Sequence, residues 1–153
     1  FLRIGSAGTH EAKGVKISAL TSYHDSSKGS ERGKNLLFVI EADGLRLAHL
    51  GDLGHTLSKT EIEKLGAVDI LFLPVGGYFT IDPKEATTVA ADVKAAITVP
   101  MHFKTPKCDF PIAPVEEFTK GKERVRNAGT PEIDINKGSL PKEPEILVFT
   151  YAL

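Results

Sequence analysis

Apolar and polar residues alternate from Val15 to Tyr23 (VKISALTSY), a period of two that predicts a half-buried strand. Two further apolar runs, Leu36–Ala42 and Leu45–Leu50, flank Asp43-Gly44. Asp-Gly between such runs is a strong hairpin signal, because both residues tolerate the positive φ a tight turn needs. Val68–Val75 (VDILFLPV) is almost continuously apolar, as expected of a strand covered on both faces. Ile97–Met101 and Glu145–Tyr151 (EILVFTY) complete a set of six strands.

Helices are announced by their caps. Ser58-x-x-Glu61 is a capping box and predicts a short helix over Lys59–Leu65. Asp82-Pro83-Lys84-Glu85 combines a capping carboxylate, a proline suited to the first turn and an answering glutamate. That helix should run to about Lys94 or Ala96. A weaker helix is expected over Pro114–Arg126, interrupted by Gly121. Asp25–Asn35 reads as a loop and Ala128–Pro144 as an irregular excursion. Strands and helices alternate in the second half, so the expected class is α/β, a mixed sheet with flanking helices in one domain over residues 1–153.

Composition narrows the function only slightly. Of 153 residues, 41% are hydrophobic and 25% charged, which suffices for a core. A net charge of −1 exerts no global pull toward nucleic acid or anionic membrane, so neither is expected as a partner. Lys28, Arg32 and Lys34 cluster, but Glu31 interrupts them and a solvated loop is the reading. The lone cysteine, Cys108, excludes an internal disulfide and lies among prolines with no adjacent histidine. No apolar run reaches the ~20 residues of a membrane span and no signal peptide is visible, so a cytoplasmic protein is expected. The chain begins with Phe1 and enters a strand-like pattern almost at once, which suggests a processed or truncated chain.

The chemistry lies at strand ends. The run to Leu50 stops at Gly51-Asp52-Leu53-Gly54-His55, His24 follows the first strand, and His102 follows Ile97–Met101. Open α/β sheets place their sites at the carboxyl edge of strands. Imidazole nitrogen and carboxylate oxygen suit Zn²⁺, Fe²⁺ or Mn²⁺. Asp52, flanked by glycines, is poorly placed for packing, and a metal between two imidazoles would supply the charge it needs; the structural alternative is an Asx turn. His55 is open to three readings: a group behind a ligand, a substrate contact, or part of the next helix's cap region. His49 should point to the opposite side of its strand and reads as structural. His10 has no pattern behind it. Gly76-Gly77 permits close backbone approach to a ligand but equally a simple turn, and Lys104 could face an anionic substrate or only water.

Together these segments resemble a known family. Ser22-Tyr23-His24-Asp25, Arg32-Gly33-Lys34-Asn35, His49 to His55, Pro74-Val75-Gly76-Gly77 and Pro100-Met101-His102 occur in the order of the metallo-β-lactamase fold hydrolases. The likeness is nearest to the branch of ascorbate-6-phosphate lactonase-like and uncharacterised members, and runs from Val15 to about Lys104. It implies an αββα sandwich with a binuclear metal centre at the sheet edges. It also implies Asp52 as the bridging carboxylate and His24 and His102 as ligands to different metals, with a metal-bound hydroxide attacking an ester, lactone, amide or phosphodiester. Asp52 and His55 are then the catalytic candidates, and a small molecule the substrate. The family's His-x-His-x-Asp-His motif has no match here. The resemblance therefore implies the C-terminal part of such a domain, its activity dependent on an N-terminal half. A non-catalytic, partner-binding module, pairing along an open sheet edge or forming a homo-oligomer, is the alternative. A plain α/β protein with structural strand ends is the third reading.

Overall fold

A computed structural model describes residues 3–151. Eight strands form one sheet: β1 (Gly8–Ala12), β2 (Val15–Tyr23), β3 (Lys34–Ala42), β4 (Leu45–His49), β5 (Ile70–Pro74), β6 (Ile97–Met101), β7 (Val125–Asn127) and β8 (Glu145–Val148). Their order across the sheet is β1-β2-β3-β4-β5-β6-β8-β7. The first four form an antiparallel meander. From β4 onward neighbours run parallel, joined by α1 (Lys59–Leu65) and α2 (Pro83–Val93). A third helix, α3 (Val115–Thr119), follows β6.

The expected hairpin forms at Asp43-Gly44, with φ of 51° and 75°, the pair of positive values a two-residue primed turn requires. Both capping boxes close: the Ser58 side chain accepts from Glu61 N, and Asp82 accepts from Lys84 N and Glu85 N. The run over Val68–Val75 becomes β5, whose Leu71 and Leu73 face one core and Ile70 the other. Leu65, Ala86, Val89, Val93 and Phe118 bring all three helices against the first core, with Leu37, Val39 and Ala48 of the sheet. The second face is covered by Ile133, Ile135 and Leu140 of the irregular stretch, packed on Ile70, Ile97, Val99 and Leu147.

Two strands exceed the sequence expectation, and one helix falls short of it. β1 (GTHEA) is a polar edge strand held only by β2, so it carries no alternation to read. His10 therefore lies on a strand, opposite Ile17, rather than in a loop. β7 is three residues on the other edge, inside the stretch expected to be helical. There α3 ends at Thr119, because Lys120 already has extended backbone (ψ 126°) and Gly121 follows with φ 74°.

The amino ends of the parallel strands are tied by charge. Asp69, just before β5, accepts from Arg46 N at 2.8 Å and from Lys137 Nζ at 2.7 Å. Arg46 Nε donates to Leu65 O at 2.8 Å, and Glu41 lies 3.2 Å from Arg46 and 3.3 Å from Lys16. Burial pushes the Asp69 carboxyl up, but Lys137 and the Arg46 N–H outweigh it and hold the group below the usual carboxylate range.

Candidate active site

At the carboxyl ends of β2, β4 and β6 the chain turns sharply, and three sequence-predicted residues meet there. His24, Asp52 and His102 line one pocket of about 290 Å³. His102 Nε2 stands 3.0 Å from Asp52 Oδ1, with both side chains about half exposed. His24 Nε2 is buried without a hydrogen-bond partner.

Local structure explains why these residues converge. Gly54 sits against the backbone of His24, where a Cβ would overlap the His24 carbonyl, and Gly54 N donates to Tyr23 O at 3.1 Å. Gly76 does the same for His102, whose carbonyl oxygen occupies the space a Cβ would take. The close approach that the glycine pair permits is thus to the loop carrying His102. Gly51, with φ 57°, makes room for the Asn35 amide, which accepts from Asp52 N at 3.1 Å and donates to Leu50 O at 2.8 Å. His102 itself holds φ 55°, a left-handed conformation costly for a side chain with a Cβ.

Two residues outside the predicted set steady the site. His49 Nδ1 accepts from Gly51 N at 3.1 Å, and the ring stacks on Phe72 at 5.7 Å between centroids. Burial and the nearby His102 hold the imidazole below its usual pKa, against the opposing pull of Asp52. A neutral ring suits its acceptor role. Asp25 accepts from the N–H groups of Ser27, Gly29, Glu31 and Arg32 at 2.8–3.2 Å and so folds the loop after His24. Burial opposes its ionisation, but these four donors prevail and its pKa lies below the ordinary value. The Asp-Ser-Ser sequence is an Asx-turn signal that could have revealed this role.

His55 stands apart from the pocket of Asp52. Its Nε2 is 3.0 Å from Ser22 Oγ and its Nδ1 is 2.9 Å from Thr56 O. A carbonyl can only accept, so Nδ1 carries the proton and Ser22 donates to Nε2. Glu61 Oε1 lies 3.9 Å away, and these groups border a separate cleft with Tyr23 and Lys28. Lys104 is turned to Phe110 O, at 2.7 Å.

The donors suit a divalent metal in kind. An unpartnered buried imidazole nitrogen beside a carboxylate–imidazole pair is what a cation would satisfy. In number they are incomplete: among the described residues no three His, Cys, Asp or Glu side chains form a ready metal-binding group.

Comparison with known proteins agrees with the fold and the motif order. The β-lactamase superfamily domain matches residues 2–102. A UPF0173 metal-dependent hydrolase of Thermococcus onnurineus is 40% identical over 103 residues, covering 64% of this chain and 45% of its own. One from Nitratidesulfovibrio vulgaris is 35% identical over 121 residues, covering 78% and 47%. Among solved structures, a candidate zinc-dependent hydrolase of the metallo-β-lactamase superfamily from Thermotoga maritima superposes with a TM-score of 0.83 at 37% identity, over 95% of this chain and 70% of that one. The chain belongs to the metallo-β-lactamase superfamily. It spans about half the length of the curated relatives it matches. Among the described residues no helix is long and apolar enough to cross a membrane.

Proposed function

We propose that this chain carries part of the active site of a metal-dependent hydrolase acting on an ester, lactone, amide or phosphodiester bond of a small molecule. The observation that carries the reading is the 3.0 Å Asp52–His102 contact beside the unpartnered His24 Nε2, in one pocket at the strand ends. Asp52 is placed to bridge two metals, with His24 and His102 as ligands on either side. When bound, a divalent ion such as Zn²⁺, Mn²⁺ or Fe²⁺ supplies Lewis acidity and lowers the pKa of water to ~7. Further donors come from sequence the longer relatives contain and this chain's match does not cover.

The remaining residues position these groups. Asn35 and His49 fix the turn that presents Asp52. His55 ties Ser22, on the strand leading to His24, to the Asp52 loop, and is a positioning residue rather than one that meets substrate. Overall, water adds across the scissile bond: its oxygen goes to the acyl or phosphoryl centre, its protons are shared between leaving group and solvent, and acid and alcohol or amine separate.

Equilibrium dialysis against Zn²⁺ and Mn²⁺, read by elemental analysis, tests the centre. The chain should retain metal that Asp52→Ala and His102→Ala lose. The longer protein containing these residues should hydrolyse 4-nitrophenyl esters or bis-4-nitrophenyl phosphate, and lose that activity with the same substitutions. Retention unchanged by Asp52→Ala would sink the reading. A second reading, a partner-binding module, draws on β1, whose outer edge is unpaired among the described residues. Light scattering that shows a monomer at all concentrations would exclude self-pairing through that edge.

A further inference from the structure

The wall of the pocket opposite the ionisable groups is apolar. Phe79, Phe110 and Ile112 line it next to Asp52 and His102. Phe79 meets Tyr78 and Phe110 edge to face, with centroids 4.6 and 5.3 Å apart. The two outer rings are strongly exposed, Tyr78 at 61% and Phe110 at 60%. Large aromatic rings left in water at the mouth of a pocket are unusual unless a ligand covers them. Tyr78 adopts φ 62°, a conformation such a residue enters at a cost, so this arrangement is held by its surroundings rather than chosen by the local chain.

Charge on this wall decides between substrate classes. No lysine or arginine lines the pocket. Lys104 is engaged with the Phe110 carbonyl, and Arg32 stands over the Phe79 ring, 5.9 Å from its centroid, without bordering the cavity. A phosphodiester keeps a full negative charge that sites of its kind neutralise with Arg, Lys or backbone N–H groups. A carbon ester is neutral and pairs naturally with an apolar wall. Thr80 Oγ1, on the same wall, is a buried hydroxyl with no partner. It is the donor that the carbonyl or ether oxygen of such a substrate would satisfy.

We propose, resting on the hydrolase reading above, that the Phe79–Phe110–Ile112 wall is an acyl- or aryl-binding subsite, so that the substrate is a neutral carbon ester or lactone with an apolar arm rather than a phosphodiester. The arm lies against the rings, and the scissile carbonyl faces Asp52 and His102.

Binding can be measured without any turnover. The probes are 2-octanone, a neutral carbonyl on a six-carbon arm that cannot be hydrolysed, and dimethyl phosphate. Titrated into the 153-residue chain, 2-octanone should saturably shift the NMR signals of Phe79, Phe110 and Ile112, and dimethyl phosphate should not. Phe110→Ala should weaken 2-octanone roughly tenfold, the loss of one ring's apolar contact; Phe110 is exposed, so its truncation spares the fold. Asp52→Asn should leave 2-octanone binding unchanged. Equal or tighter binding of dimethyl phosphate, or no effect of Phe110→Ala, would overturn the proposal. In the longer protein, 4-nitrophenyl hexanoate should be cleaved faster than the acetate, and the reverse order would also overturn it. Normal 2-octanone binding with no hydrolysis of any ester by the metal-loaded longer protein would remove the hydrolase reading and leave the apolar preference in place.

Discussion

The two ends of the parallel strands differ in how their polar groups are satisfied. At the amino ends Asp69 holds Arg46 N and Lys137, Arg46 reaches Leu65 O, and Glu41 lies between Arg46 and Lys16. At the carboxyl ends His24 Nε2 and Thr80 Oγ1 are buried without partners, and His102 and Tyr78 hold left-handed backbone. A buried polar group without a partner costs ~1–3 kcal/mol, and strained residues persist only where neighbours enforce them. One end is arranged for stability. The other holds groups whose partners are absent from the chain, which is what binding requires. Both ends belong to the same strands, so substitutions along one sheet separate the two roles.

The largest expected effect comes from the glycines that seat the site. Gly54 and Gly76 press on the backbones of His24 and His102, which cannot swing away as a side-chain tip would. Gly54→Ala or Gly76→Ala should each cost ~3 kcal/mol or more in urea unfolding, at the upper end of overpacking penalties. Gly44, in the hairpin at the opposite end, has nothing within 4 Å of a would-be Cβ, and its φ of 75° is the only obstacle. Gly44→Ala should cost ~1–2 kcal/mol. Equal losses at the two ends would show that backbone strain, not close approach, holds the site glycines in place.

Asp69→Ala comes next. It strands the Arg46 N–H and frees Lys137, and should cost ~2 kcal/mol. The pH dependence follows from the lowered native pKa of Asp69. An unfolded aspartate titrates near ~3.9, so the contribution is complete above that pH and is lost as the pH falls through the lower native value. Wild-type stability should therefore fall below about pH 4 more steeply than that of Asp69→Asn, measured by urea midpoints between about pH 2 and 6. Parallel curves would remove Asp69 from the account. Lys137 is itself well exposed, so Lys137→Met should cost only ~0.5 kcal/mol and matter less in high salt.

What could be read from the sequence divides along the same line. The hairpin, both capping boxes and β5 were legible because each is a local signal: Asp-Gly, Ser-x-x-Glu, Asp-Pro-x-Glu, an unbroken apolar run. β1 and β7 were not, since short polar edge strands take their structure from a neighbour rather than from their own pattern. The convergence of His24, Asp52 and His102 on one pocket was expected from their shared position at strand ends. The separation of His55 from that pocket was not, because the turn direction after Gly54 depends on contact with the His24 backbone, 30 residues earlier in sequence. Asp25 and Asn35 act through backbone groups of distant or returning loops, and no spacing rule points to them.

The smallest effect is also the one that bears most directly on the contrast between the ends. Thr80 Oγ1 contributes an unpaired hydroxyl to the apolar wall, so its removal should relieve a cost rather than incur one. Thr80→Val keeps the shape and deletes the polar atom. It should raise stability by ~0.5–1 kcal/mol, read as a shift in the urea midpoint at constant slope. The same change should weaken binding of 2-octanone by a few-fold, since the ketone loses its donor while the rings remain. Stability and affinity would then move in opposite directions, as expected where a chain keeps an unfavourable group for the sake of a ligand. A Thr80→Val protein that is less stable and binds 2-octanone no more weakly would show that the hydroxyl is satisfied within the fold, and the two ends of the sheet would differ less than the unpaired groups indicate.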